Sequence, residues 1–182
     1  VNAGAGTGSS MVLTGDVDIK ATSTNRAQAT TSAVGGGLVA VGAALTNAGA
    51  STTMDVYLEG DVGTGEDVGA KSVDIIAMAT DDAEAISRAV AGGLVAGTDN
   101  NSTASAGSWF EGSGMGTTQH FGSVKARVGN NSVIHTSGSI KVSATIDPEA
   151  DATPRGVAGG SVAIVASLSD ANVDANAQAI VG

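Results

Sequence analysis

The sequence has no cysteine, two prolines and only four aromatic residues among its 182, and charged side chains make up 14% of it. A chain of this length needs no disulfide, and a cysteine-free composition rich in Thr, Ser, Asn and Asp is typical of large exported bacterial proteins. The apolar residues are mostly Ala and Val, so a core made from them must be thin, with backbones close together. This favours closely stacked β layers or a narrow solenoid over a thick globular core.

Basic residues are also scarce: eight Lys and Arg face eighteen Asp and Glu, which gives a net charge of −10. The basic residues do not cluster, and this argues against a nucleic-acid partner, because phosphates need patches of Lys and Arg. No run of eighteen apolar residues is present, so no membrane span is predicted. A mean hydropathy of +0.18 argues against the main competing class, a disordered chain. The first residues lack an initiator Met and a signal peptide, so we expect a mature or excised piece of a longer protein.

Three blocks of the sequence align with one another without a gap: 17–41, 73–97 and 140–164. In each block, the first apolar residue stands nineteen positions before a Gly-Gly pair. These pairs are Gly36-Gly37, Gly92-Gly93 and Gly159-Gly160. The columns that are identical in all three copies are Ala21/Ala77/Ala144, Ala27/Ala83/Ala150, Ala29/Ala85/Ala152, Val34/Val90/Val157, Gly36/Gly92/Gly159, Gly37/Gly93/Gly160, Val39/Val95/Val162 and Ala40/Ala96/Ala163. Such self-similarity indicates a repeat architecture.

Alternating apolar and polar residues at the start of each block predict half-buried strands. A polar turn is predicted next, at 24–26, 81–82 and 147–149, and the small residues Ala27 and Ala29 after it imply a second backbone packed close by. The Gly-Gly pair predicts a corner, with a second strand beginning at 38–41. A helix is the alternative for 83–90, but the equivalent segments are poor helix formers, so a strand is predicted there too.

The pattern Ala-x-Ala-x(4)-Val-x-Gly-Gly-x-Val-Ala, preceded by strands of the Val-Asp-Ile type, resembles the β-strand repeats of giant bacterial surface proteins. These include the leukotoxin-type and filamentous-haemagglutinin-like adhesins. The resemblance covers the three blocks and implies secretion, an all-β solenoid or stacked-sheet architecture, and a role in adhesion or extracellular fibres. It brings no catalytic residue with it.

We expect residues 1–182 to form a single array. Repeat one covers about 9–64, repeat two about 65–131, and repeat three about 132–182, which residues 1–16 of a next copy could continue. The segment 98–137 departs from the pattern and is expected to be an irregular insert.

No constellation in the sequence points to catalysis, and an enzyme is not predicted. His120 and His135 stand apart, without the further ligands that a zinc site needs. Calcium is the one cofactor that the oxygen ligands of the predicted turns suit. Its candidate ligands are Asp81, Asp82, Asp147, Glu149 and Asp151, with Asp16, Asp18, Asp61, Glu66 and Asp67 beyond them. Asn100, Asn101 and Asn130 begin glycosylation sequons, for which exposed loops would be suitable.

Two functions follow. The first is a structural component of an extracellular bacterial fibre or surface filament, in which copies of the chain associate head to tail because neither end is capped. The second is an adhesin module that binds a glycan or host surface through 98–137, where Trp109 and Phe110 form the one concentrated aromatic pair. Alternatively, this pair fills a gap where the segment folds back on the stack. Tyr57 stands in the corresponding connector after the first block.

Overall fold

The computed structural model describes residues 1–63, 69–111 and 118–182, and every regular element in these ranges is a β-strand. The predicted all-β class is therefore confirmed. The strands are β1 (Asn2–Ala5), β2 (Ser10–Met11), β3 (Asp16–Gly36), β4 (Val39–Ala50), β5 (Thr53–Leu58), β6 (Asp61–Val62), β7 (Ser72–Gly92), β8 (Val95–Ala106), β9 (Ser108–Glu111), β10 (Thr118–Phe121), β11 (Ser123–Val128), β12 (Ile140–Gly159), β13 (Val162–Val173) and β14 (Ala177–Val181).

The chain visits three main sheets in the same order several times. The long sheet has the order β12-β7-β3, the facing sheet includes β4-β8-β13, and the short sheet has the order β1-β5-β11-β14. We call β1–β4 the first circuit, β5–β8 the second, and β11–β13 the third. The hairpin of β9 and β10 lies between the second and third circuits, and β14 follows the third.

Neighbouring circuits pair in parallel, residue against equivalent residue. In the long sheet Val73 lies between Val17 and Ile140, and in the facing sheet Val95 lies between Val39 and Val162. These partners are the residues that the alignment of the three sequence blocks places in one column. Parallel pairing buries both edges of the middle circuit, which explains why β7 and β8 contain most of the fully buried residues.

The interior has a wide part and a narrow part. In the wide part, the first third of the long sheet packs against the short sheet through larger side chains such as Met54, Leu58 and Ile75. In the narrow part, the rest of the long sheet packs against the facing sheet through a layer of small side chains, mostly alanines, which also includes buried polar residues of β4, β7 and β8. The predicted second backbone beside Ala27 and Ala29 is confirmed, since both pack in this alanine layer.

The predicted polar turns at 24–26, 81–82 and 147–149 are wrong. Strands β3, β7 and β12 run through these positions without a break, and inward and outward side chains continue to alternate. The turn residues stay in the strand because Asn25 and Asp81, which face inward, find hydrogen-bond partners where the wide and narrow parts meet. The helix alternative for 83–90 is excluded, since this segment lies within β7.

The predicted corner at the Gly-Gly pair is confirmed: each long strand ends at the first glycine, and the facing strand begins three residues later. In the second and third circuits, only the second glycine of the pair is required by close packing. A Cβ on Gly93 would lie inside contact distance of the carbonyl oxygen of Gly37, and one on Gly160 would meet that of Gly93 in the same way. A Cβ on Gly36, Gly92 or Gly159 would meet no atom within 4 Å. The corners of successive circuits therefore stack backbone on backbone.

The expectation of an irregular segment over 98–137 is corrected. Its first part belongs to β8, which is paired along its whole length with β4 and β13, and β11 pairs with β5 and β14. The sequence did not reveal β8 because the inward residues Thr98, Asn100 and Ser102 are polar, so the apolar alternation of a half-buried strand is missing.

Candidate functional site

The hairpin of β9 and β10 carries the aromatic residue that the sequence singles out. The two strands pair antiparallel, and this places His120 opposite Trp109. Their rings stack with centroids 4.3 Å apart and an interplanar angle of 13°. The imidazole also contacts Glu111, whose Oε2 lies 3.0 Å from the Nε2 of His120. The indole is therefore fixed in orientation, while 39% of Trp109 remains exposed.

A shallow cavity of about 340 Å³ opens beside Trp109. Its other walls come from β3, from the end of β4 and from the residue after it, and they include Asn25, Arg26, Gly49 and Ser51. Gly49 allows the close approach of the hairpin, because a Cβ there would lie 3.0 Å from the Cβ of Trp109. The cavity combines an aromatic ring with an arginine, an asparagine and a serine, a set of residues that suits a polyhydroxylated ligand.

The hairpin is also tied to the third circuit. Asp174 Oδ2 accepts hydrogen bonds from Ser108 Oγ at 2.8 Å and Gln119 Nε2 at 2.9 Å. On the opposite side, Ser108 pairs with Ala50 of the first circuit. The sequence left two roles open for Trp109, contact with a ligand and packing against the stack. In the structure Trp109 packs against the stack and also presents an exposed edge. The side chain of Phe110, the predicted second member of the pair, lies outside the described residues.

Tyr57 is not part of this hairpin site. It lies on β5 in the short sheet, where the guanidinium of Arg127 stands 4.9 Å from the ring centroid. Arg127 also forms an ion pair with Asp55 at 3.1 Å and one with Glu59. The hydrogen bonds to Asp55 and then to Glu59 raise the pKa of the Arg127 guanidinium above its ordinary value. This cluster has little signature in the sequence, because its members come from strands of two different circuits.

Asp81, a predicted calcium ligand, is fully buried and already has partners inside the chain. Its carboxylate accepts hydrogen bonds from the Thr52 backbone N–H at 3.1 Å and the Thr52 hydroxyl at 2.7 Å. A third comes from Asn25 Nδ2 at 3.3 Å. Asn25 in turn donates to the Ser51 carbonyl oxygen at 3.0 Å. This cluster fastens the corner between β4 and β5 to the long sheet, and the sequence reading missed it by placing Asp81 in a turn.

The other four of the five main calcium candidates lie on the outer face of the long sheet, whereas Asp61 lies on β6. Asp82 forms an ion pair with Arg26 at 3.2 Å, while Asp147, Glu149 and Asp151 are exposed on β12. Because Asp81 points inward, the structure does not bring the five predicted ligands together. Within the described ranges no three acidic or histidine side chains form a metal-binding group. Glu66 and Asp67 lie outside those ranges.

The three sequons are not equivalent. Asn100 and Asn101 lie on β8 instead of an exposed loop, and Asn100 is fully buried. Its amide nitrogen and oxygen are both without a hydrogen-bond partner within the described part of the chain. Asn130, in contrast, stands in an exposed turn after β11. Of the three, Asn130 is the one that the folded chain presents to solvent.

Comparison with known proteins gave no further guide: no family model, no curated protein and no solved structure matched this chain. The described residues include no helix of the length and apolarity needed to cross a membrane. Function is therefore inferred from the geometry of the strands and of the exposed surfaces.

Proposed function

We propose that this chain is a rigid structural segment of an extracellular bacterial fibre or surface filament, built as a β-solenoid. The observation that carries the proposal is the residue-for-residue parallel pairing of three circuits over the full lengths of β7 and β8. Each circuit adds about 4.8 Å along the stack, so length increases with every circuit while the cross-section stays constant. That geometry suits a stalk or spacer.

Association of copies head to tail is part of this proposal. Within the described residues, β12 and β13 each pair on one side only, and β9 touches β4 through a single residue pair. The unpaired backbone groups of β13 in one copy and of β4 in the next can complete each other as parallel strands. We therefore place the main contact between copies on the facing sheet.

The long sheet resists the same contact because of two prolines. The Val73 N–H donates to the Ser139 carbonyl oxygen and the Gly93 N–H to that of Gly159, both at 3.0 Å. Backbone groups alternate sides along a strand, so the odd-numbered residues of β12 face β7 and the even-numbered ones face the open edge. Pro148 and Pro154 lie in that even-numbered set. They lose no hydrogen bond to β7, but they remove two donors from the open edge and obstruct it with their rings.

Replacing these prolines should therefore promote growth of the stack. The first-circuit residues at the same positions are Asn25 and Thr31, so the double variant Pro148→Asn, Pro154→Thr restores their chemistry at the open edge. We expect longer end-to-end assemblies than the parent chain forms at equal concentration, as seen by electron microscopy and sedimentation velocity. The matched control is Thr153→Ser, between the two prolines. If parent and double variant both remain monomeric at every concentration, head-to-tail association is wrong.

An adhesin module is the second candidate, favoured by the fixed and partly exposed Trp109 beside its cavity. In this case the solenoid acts as a spacer and the hairpin recognises a glycan, whose apolar ring faces pack on aromatic side chains. Trp109→Ala should reduce glycan-array binding by at least about tenfold, the effect of about 1.4 kcal/mol. The control is Phe121→Ala, which removes an exposed aromatic residue from the same hairpin. Equal glycan binding by the parent and Trp109→Ala would contradict the adhesin candidate. Loss of folding in Trp109→Ala would assign the residue a structural role.

A further inference from the structure

The outer surfaces of the long sheet and of the facing sheet differ sharply in charge. The outward positions of the long sheet include Arg26, Arg88, Asp82, Glu84 and Glu149. Those of β4, β8 and β13 in the facing sheet carry no Lys or Arg, and the only charged residues among them are Asp99 and Asp170. All eight basic residues of the chain are therefore absent from this surface.

Large apolar residues take the place of charge on the facing sheet. We call this surface, with the corner residues next to it, the apolar face. It consists of Leu38, Val39, Val41, Leu45, Leu94, Val95, Val162, Ile164 and Leu168. Their exposed fractions range from 41% to 80%. Together they expose on the order of 1,000 Å² of surface, more than the roughly 300–600 Å² of the largest patch on a typical monomer.

One row of the apolar face has a relief that can complement itself. Parallel register aligns Val41, Gly97 and Ile164 in one row, so a hollow at the glycine lies between two branched side chains. A second copy rotated by a two-fold axis can set Val41 or Ile164 into this hollow while its own glycine receives the partner's side chain. Sheets stack face to face in this way at a separation of about 10 Å.

Area and charge together identify the occupant. A stable interface buries about 800 Å² on each partner, and the apolar face is large enough to supply it. An anionic lipid surface is disfavoured, because the face offers no basic residue and carries two aspartates. A second copy brings the same uncharged rows, 39/95/162 and 41/97/164, to the contact, and Asp99 lies in the next row of the face, between Ala43 and Ala166. We propose that two copies of this chain pair laterally through their apolar faces, independently of end-to-end association.

The test uses exposed positions on opposite surfaces of the full chain. Val41 is 73% exposed on the apolar face, and Val34 is 85% exposed on the outer surface of the long sheet. Val41→Lys places a charge in the proposed contact and should weaken pairing by more than about 100-fold. Val34→Lys adds the same charge to a comparable residue outside it and should pair like the parent. Sedimentation equilibrium measures both, and circular dichroism confirms that both variants keep their strands.

Charge rescue makes the assignment specific. Val41→Lys and Val41→Glu proteins should each fail to pair alone and should pair when mixed, since opposite charges then meet across the two-fold axis. The proposal is overturned if the parent is monomeric throughout, if Val41→Lys pairs like the parent, or if mixing restores nothing. It is also overturned if the parent instead binds phosphatidylcholine vesicles in a manner that Val41→Lys abolishes. In electron micrographs, loss of lateral pairing reduces fibre width, whereas failure of head-to-tail association shortens fibres and leaves width unchanged.

Discussion

Single inward-facing residues decide how firmly the two parts of the interior are joined. The clearest case is Asp81, whose carboxylate is buried but accepts three hydrogen bonds from Thr52 and Asn25. Its neighbour Asp82 points outward to Arg26 across a partly exposed ion pair. Two adjacent acidic residues that look equivalent in the sequence are therefore expected to contribute very differently to the free energy of unfolding.

Asp81→Ala should lower the free energy of unfolding by about 2–4 kcal/mol, because it leaves the buried N–H and hydroxyl of Thr52 without their acceptor. Asp82→Ala is the matched control and should change it by no more than about 1 kcal/mol, as expected for an exposed ion pair. Urea titration of both variants measures the difference. Equal losses in the two variants would show that the Asp81 cluster does not fasten the corner.

At the scale of the strands, the corner at each Gly-Gly pair sets the spacing between circuits. The second glycine of one circuit lies directly against the backbone of the circuit above it, as Gly93 does against Gly37. The first glycine has free space beside it. The two glycines of a pair are thus expected to respond differently to the same substitution.

Gly93→Ala should destabilise the protein by about 1–3 kcal/mol, since the new methyl group forces two stacked backbones apart. Gly92→Ala should be tolerated, with a change within about 1 kcal/mol, because a methyl group there meets nothing. Thermal unfolding followed by circular dichroism compares the two. The stacked-corner interpretation fails if Gly92→Ala is the more damaging substitution.

These strands also show how far the sequence leads. Alternating Val and Ile residues predicted the starts of the long strands, and the Gly-Gly spacing predicted the corners. The strand over 95–106 was missed because Thr98, Asn100 and Ser102 face inward, and polar residues give no apolar alternation. The sequence predicts a turn at buried Asp81, because its partner Thr52 is distant in the chain and pairs with it only in the folded stack. Trp109 was found from composition alone, but its stacking on His120 depends on hairpin register.

At the scale of the whole molecule, the short sheet affects whether copies can join. Strands β1 and β14 hold equivalent places beside β5 and β11, at opposite edges of the sheet. When β4 of a second copy pairs with β13, the β1 strand of that copy arrives where β14 already lies. One of the two strands must give way before the facing sheets can join.

Removing residues 177–182 should therefore lower the protein concentration at which end-to-end assemblies appear, because β1 of the next copy can then occupy the free edge of β11. Removing residues 1–6 should act in the same direction. Removing both should give no added benefit, since no strand then covers β11 at the junction. Light scattering against concentration provides the measurement, and deletions that raise the threshold would contradict this mode of joining.

The alanine layer between the long and facing sheets has a thermodynamic consequence. Unfolding raises the heat capacity mainly by hydrating apolar surface, at about 12–15 cal/mol/K per residue in ordinary domains. An alanine methyl group exposes less apolar surface on unfolding than a larger apolar side chain does. The heat-capacity change per residue of the narrow part should therefore lie below this range. A small heat-capacity change flattens the dependence of stability on temperature. The free energy of unfolding of this chain should therefore change less with temperature than that of an ordinary domain of the same length.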